Sequence, residues 1–318
     1  MTLSVVTLGD LVADLIVPIA QLPLRNQEHQ VARDIAIDAG STGSVLIVAA
    51  RLGLHARALG AIGTDFIGDQ VRAALAEEGV AVSSIAAPPG GRTTTSIVLI
   101  DDTAQHVFVW MRGTGAPQPF DPAWCPIIEQ AGALFTTGYA LQPPSVFTPA
   151  AVQAGIDIAF AHNIPIFFDL GPVAAHVPRE QIDAVVSRAT VCFATAEELT
   201  GWVGIDDLGR AARQLLAQGP QLVVVKLGAR GCLIVTASKQ EQVDGFSVAV
   251  RNTAGAGDAF SAAYIYGYLK GFAPREIGIF ANAVGALAVT KIGTGRNLPQ
   301  RQEIAQLLLE HGHTFFES

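Results

Sequence analysis

Half of the 318 residues are apolar and 15% are charged, enough for a large buried core in one α/β domain (1–318) with an appendage. A formal net charge of −8 without any run of Lys and Arg excludes a nucleic-acid or anionic-membrane surface, and no apolar stretch approaches the length of a membrane helix, about 20 residues. Cys125, Cys192 and Cys232 are too few and too far apart for a disulfide framework or a paired-cysteine metal site, which fits a reducing, cytoplasmic setting.

The stretch MTLSVVTLGDLVADLIV has no basic segment and carries Asp10 and Asp14 inside its apolar run. It reads as a buried first strand centred on residues 4–8, not as a signal peptide. Residues 29–37 alternate, with Val31, Arg33, Ile35 and Ile37 on one side and Ala32, Asp34 and Ala36 on the other, which is a strand pattern. A buried strand follows at 56–62. Residues 93–100 and 105–112 are β-branched or aromatic runs joined across Asp101-Asp102-Thr103, the pattern of a hairpin. Asp121-Pro122 and Thr148-Pro149 each set a capping side chain before a proline at the first helical position. Further buried strands occupy 133–135, 164–168, 191–193 and 222–225, with helical patterns between them. This rhythm predicts a doubly wound, mostly parallel sheet flanked by helices on both faces. The three strands without intervening helices predict a small antiparallel β-sheet lid, inserted at about 17–38 and 90–113. Its apolar face needs cover from the mouth of a site or from a second subunit, so a homodimer through the lid is one expectation.

The most informative segment is Arg251-Asn252-Thr253-Ala254-Gly255-Ala256-Gly257-Asp258-Ala259-Phe260, which runs into a nearly all-apolar helix ending near Gly271. Glycines at a buried helix start leave backbone N–H groups open, and these with the macrodipole form an anion site. Asp258, just inside that start, is placed to accept a proton from a hydroxyl attacking a phosphoryl group. An acid in a first helical turn also stabilises any helix, so this segment alone leaves both readings open. The chain has neither GxxxxGK[ST] nor GxGxxG on a strand-to-helix turn, which removes a Walker-type site and a dinucleotide-binding dehydrogenase.

NTAGAGDAFSAAYIYG resembles the C-terminal signature of the ribokinase-like (PfkB) sugar kinases, D-T-x-G-A-G-D-x-F. Further matches follow the family's order along nearly the whole chain: GDLVADLI, VAARLG with GAIGTDFIG, VVVKLGARG, and ANAVGALAVTKIGTG. The resemblance implies in-line transfer of the ATP γ-phosphate to an alcohol, with Mg²⁺ bridging the phosphates. Asp258 is then the catalytic base, and the amides around Gly255, Ala256 and Gly257 form the anion hole. On the substrate side the resemblance implies Asp14, Gly40, Ser41, Thr42 and Ser44. On the nucleotide side it implies Lys226, Gly228, Gly231 and Asn282, and at the metal Glu198, acting through water.

Four positions depart from the family pattern. Ser44 replaces an asparagine after the substrate loop. Thr195 begins what is usually NxxE, and Thr195 with Glu198 also makes a capping box, so metal support and helix capping both stand. Asn252 replaces the first acid of the signature, in a region that often helps to hold a monovalent cation; the lost charge weakens such a site. Lys226 replaces a threonine and either meets an ATP phosphate or ends a strand with its ammonium in solvent. Arg92 and Arg112 flank the hairpin as solvated charges or phosphate ligands. Phe108 and Trp110 share one face of it, for stacking on a substrate or packing a dimer. Asn282 either meets adenine or makes a core hydrogen bond. The expected activity is an ATP-dependent kinase acting on a hydroxyl of a sugar-like molecule. The alternatives are a nucleoside kinase of the same fold and a catalytically silent sensor.

Overall fold

The computed structural model describes residues 3–26, 28–142, 147–172 and 174–316. In chain order its elements are β1 (Ser4–Asp10), β2 (Val12–Pro18), β3 (Ala36–Gly40), α1 (Thr42–Arg51), β4 (His55–Ala61), α2 (Phe66–Glu77), β5 (Ile85–Ala86), β6 (Thr94–Ile100) and β7 (His106–Met111). There follow α3 (Cys125–Glu129), β8 (Ala133–Thr137), α4 (Pro149–Ala161), β9 (Ile166–Asp169), α5 (Arg179–Val186), β10 (Val191–Thr195), α6 (Ala196–Val203), α7 (Leu208–Leu216) and β11 (Leu222–Lys226). The chain ends with β12 (Cys232–Val235), β13 (Gln240–Val243), α8 (Ala256–Lys270), α9 (Pro274–Val289) and α10 (Arg301–Glu310).

The main sheet has the order β13-β12-β11-β10-β9-β8-β1-β4-β5, parallel from β5 to β11 and antiparallel only at β12 and β13. Alternate strand residues face opposite layers, as the period of two requires. Val5, Phe135, Phe167 and Phe193 pack under α1, α2 and α8–α10, whereas Leu8, Leu134, Phe168 and Cys192 pack under α3–α7. Each fully buried phenylalanine or leucine contributes about 1.5–3 kcal/mol, so both helix layers are firmly held. Thr148 caps α4 by accepting from Ala151 N at 3.1 Å, and Asp121 caps the turn before α3 by accepting from Ala123 N at 2.9 Å. The three cysteines are free, and no helix among the described residues is long and apolar enough to cross a membrane.

The smaller sheet has four strands, β3-β2-β6-β7, with β2 antiparallel to β3 and parallel to β6, and β6–β7 the expected hairpin. Two sequence expectations are corrected here. The apolar N-terminal run is two strands, since the chain leaves the main sheet after Asp10 and enters the lid at Val12, so the lid begins earlier than residue 17. The alternating stretch at 29–37 is a strand only from Ala36; Val31 and Ile35 are exposed, and among the described residues no strand pairs with residues 29–35 as a ladder. GAIGTDFIG packs against the second entry to the lid. Asp65 caps α2 through Gly68 N at 3.0 Å and also accepts from Thr93 Oγ1 at 2.6 Å and Thr93 N at 3.1 Å. A side chain on Gly63 would overlap the backbone of Arg92 and Thr93. β7 is an edge strand whose outer face exposes Val107, Val109 and Met111.

Candidate active site

The carboxyl ends of β8, β9, β10 and β11 deliver Thr137, Asp169, Thr195 and Lys226 to the same edge of the sheet, Thr137 level with Asp169 and Thr195 level with Lys226, and that edge is where open α/β sheets bind ligands. Between these ends, the lid and the start of α8 lies a cleft of about 740 Å³. Asp14, Phe108, Trp110 and Arg112 face it from the lid, Ser41 and Thr42 from the turn into α1, and Gly255, Gly257 and Asp258 from α8.

Gly255 begins α8 at φ 75°, a left-handed conformation suited to glycine, and no side chain caps the helix. The bond from Ala259 N to Gly255 O (2.9 Å) is the first of the helix, so the amides of Gly257 and Asp258 have no partner within it. Asp258 is partly open to the cleft and otherwise enclosed. Burial, reinforced by the carboxylate of Asp169, pushes its pKa up to about 7, with Lys226 opposing. Asp14 faces it from β2. Burial raises Asp14 to about 7 as well; the Thr294 hydroxyl pulls the other way and Asp38 adds like charge. Gly40 is a glycine because of Asp14: a Cβ there would come within 2.6 Å of Oδ1 and closer still to Oδ2. Tyr139 lines the same cleft with its phenol pushed up to about 12, by burial and then by Asp258, and so stays a neutral donor.

Lys226 is not in solvent. Its Nζ donates to Asp169 Oδ2 at 2.6 Å, both side chains being nearly buried. Burial disfavours its charge, but Asp169 and Glu198 outweigh that and raise its pKa, so it is an ammonium. Glu198 serves two ends. Its carboxylate accepts from Thr195 N at 2.8 Å while Thr195 Oγ1 accepts from Glu198 N at 3.2 Å, a complete capping box, and the same side chain lines the cleft. Burial, then the nearby Asp169 carboxylate, raises its pKa.

Other sequence candidates lie elsewhere. Ser44 is fully buried, with Oγ donating to Ala39 O (2.9 Å) and accepting from Gly295 N (3.2 Å); it fastens the turn between β3 and α1 and does not face the cleft. Asn282 is a core strut, its Nδ2 donating to Val243 O at 3.0 Å and Asp244 O at 3.1 Å and its side chain also bonded to Cys232, so the amide has no free edge for a base. Gly228 and Gly231 form the turn after β11, outside the cleft lining; Gly231 (φ 85°) lies against the backbone of Val243–Gly245. Ala256 is in the first turn of α8 but its side chain is not in the lining, and Arg92 is exposed just before the second entry to the lid. The side chain of Asp10 lies outside the described residues. Asn252 is buried, Oδ1 accepting from Ala254 N (3.0 Å) and Nδ2 donating to Gly293 O (3.3 Å).

The structure adds residues that the sequence did not single out: Asp169, Ser261, Tyr139, and Asp38 paired with Arg296 (3.2 Å) behind Asp14. Their acids and hydroxyls are ordinary in sequence. Only the fold brings them together.

A family model described as pfkB family carbohydrate kinase matches residues 2–301. A ribokinase from Haemophilus influenzae is 25% identical over 290 residues, 91% of this chain and 90% of its own length. A nucleoside kinase from Methanothermobacter thermautotrophicus is 26% identical over 309 residues, covering 94% of each chain. The structure of Arabidopsis thaliana ribokinase complexed with ribose and ATP superposes with a TM-score of 0.82 at 21% identity, covering 97% of this chain and 99% of that one. The glycine-opened helix with its acid, the two-layered sheet and the four-stranded lid agree with a match spanning nearly every residue, and the chain belongs to the pfkB family of carbohydrate kinases.

Proposed function

We propose that the protein is an ATP-dependent kinase that phosphorylates a neutral, hydroxyl-rich acceptor of the sugar class, with Asp258 as general base. The observation that carries this reading is the position of Asp258 at an uncapped, glycine-opened helix start, with Asp14 facing it across one cleft. The open amides of α8 suit the γ-phosphate. Asp14, held by Gly40, accepts hydrogen bonds from the acceptor and orients it. The acceptor hydroxyl gives its proton to Asp258 Oδ as its oxygen bonds to phosphorus, and ADP departs. Lid residues over the cleft exclude water, a competing acceptor. Mg²⁺ would come with the ATP phosphates, and Glu198, which lines the cleft, would steady it through water. When bound, Mg²⁺ neutralises phosphate charge.

An unphosphorylated acceptor follows from the charge of the cleft. Asp14 would repel a second phosphate, and Arg112 is already engaged by Tyr139 O and Gln142 Oε1. Neutral sugars are therefore expected to show higher kcat/KM than fructose 1- or 6-phosphate, and Arg92→Ala and Arg112→Ala should not change that order. A phosphosugar as best substrate, lost selectively in either variant, contradicts this. A nucleoside acceptor is the second reading, favoured by Phe108 and Trp110, whose rings line the cleft from the lid. Weak dependence on K⁺ is also expected, because Asn252 supplies an oxygen without the negative charge of the acid at the first position of the family signature. Replacing K⁺ by a bulky organic cation at matched ionic strength should cost less than about tenfold in rate; a larger drop contradicts it.

A further inference from the structure

Four carboxylates line the cleft: Asp14, Asp169, Glu198 and Asp258. A phosphoryl group in flight spreads negative charge over its equatorial oxygens, and these acids oppose it. A compensating charge works best when it is fixed before the reaction, because no reorganisation is then needed. On the lid, the Arg112 guanidinium is committed to Tyr139 O and Gln142 Oε1 and lies 4.8 Å from the Trp110 ring centroid. Lys226 is the cation on the floor. Its Nζ is held by Asp169 Oδ2 at 2.6 Å, and that oxygen lies 3.2 Å from the Ser261 hydroxyl, itself 3.0 Å from Gly257 O. A methyl group on Gly257 would stand 3.3 Å from Nζ, so the ammonium is beside the first turn of α8. An ammonium carries three protons; among the described residues Nζ donates one, to Asp169, and two remain for a ligand.

Resting on the kinase reading above, we propose that Lys226 is a second catalytic residue, an ammonium held by Asp169, whose carboxylate is in turn fixed by Ser261, that takes up charge on the phosphoryl group as it passes from ATP to the acceptor. The bond from the acceptor oxygen to γ-phosphorus forms while the bond from phosphorus to the β,γ-bridging oxygen breaks. The electron pair of that bond leaves with ADP, and the hydroxyl proton goes to Asp258. Lys226 keeps its own protons and donates two hydrogen bonds to the equatorial oxygens. Asp169 and Ser261 touch no reacting atom; they are positioning residues.

The test uses the full chain with the best acceptor from the panel. Lys226→Met should lower kcat about 10²–10³-fold, the usual cost of one preorganised donor to a developing anion, with KM for ATP within about threefold. ADP with aluminium fluoride, a planar phosphoryl mimic, should bind Lys226→Met about 10²-fold more weakly, while a non-hydrolysable ATP analogue keeps its affinity. Ethylammonium should restore part of kcat to Lys226→Ala, which no repair of folding would do. Ser261→Ala, which leaves the ion pair in place, should lower kcat about tenfold at unchanged KM and decides the matter if the Lys226 variants do not fold. Folded Lys226 variants with normal kcat, equal loss of both nucleotide complexes, or a Ser261→Ala protein with wild-type kcat would overturn the assignment. A wild-type protein without acceptor-dependent ADP formation removes the kinase reading and this one with it, whereas an active wild type with unaffected variants removes this one alone.

Discussion

Asp258→Asn is expected to lower kcat about 10²–10⁴-fold while leaving ATP affinity nearly unchanged, because the amide keeps the shape but cannot take the proton. The pH dependence follows from the cleft. Burial, and then the Asp169 carboxylate, raises Asp258 to about 7, and burial raises Asp14 to about 7. Each acts only as a carboxylate, Asp258 as base and Asp14 as acceptor of hydrogen bonds from the substrate, so kcat/KM falls as the pH drops below about 7. Because Asp14 is one of the charges acting on Asp258, the apparent values belong to the pair. The acid limb should therefore approach a slope of about two in the wild type and about one in the residual activity of Asp258→Asn. A variant with near-normal kcat, or an unchanged limb, removes Asp258 from the mechanism.

Gly40→Ala should be nearly as damaging, and for a different reason. Gly40 is not among the residues with positive φ, so alanine is permitted by the backbone there. Its methyl group, however, would occupy the space of the Asp14 carboxylate. Asp14 must move, and a displacement near 1 Å of an orienting group costs about 10²-fold. The expected result is a loss of about that size in kcat/KM for the acceptor, with KM for ATP unchanged and the thermal midpoint close to wild type. Kinetics with each substrate varied in turn check this; an unaltered kcat/KM for the acceptor would show that Asp14 does not position the substrate.

The sequence made the main sheet legible because its strands are short apolar runs between clear helix starts, and Thr148 and Asp121 cap where their position before proline indicates. The crossing from β1 to β2 was not legible: Gly9 and Asp10 favour turns, but apolar residues continue on both sides of them and only Leu11 separates the two strands. The alternation at 29–37 misled, since periodicity states which residues share a face and not whether a partner strand exists. At the cleft, Asp258 was legible through its glycine-rich helix start together with the family resemblance, and Asp14 through the resemblance alone. Asp169 was not, because its partners lie 57 and 92 residues away and an acid at a strand end is ordinary. Ser44 and Asn282 show the converse. Motif matching gave their positions, but not that the Ser44 hydroxyl and the Asn282 amide point into the protein, where carbonyls and an amide consume them.

The most direct test of phosphoryl transfer is ³¹P NMR of the protein with ATP, Mg²⁺ and neutral sugars or nucleosides supplied one at a time. With an accepted substrate a phosphomonoester resonance should grow in step with ADP, one for one and without inorganic phosphate, and Asp258→Asn should leave ATP intact over the same period. ATP that binds but stays unchanged with every acceptor, or is converted only to ADP and inorganic phosphate, would contradict a kinase and favour a silent sensor or a hydrolase.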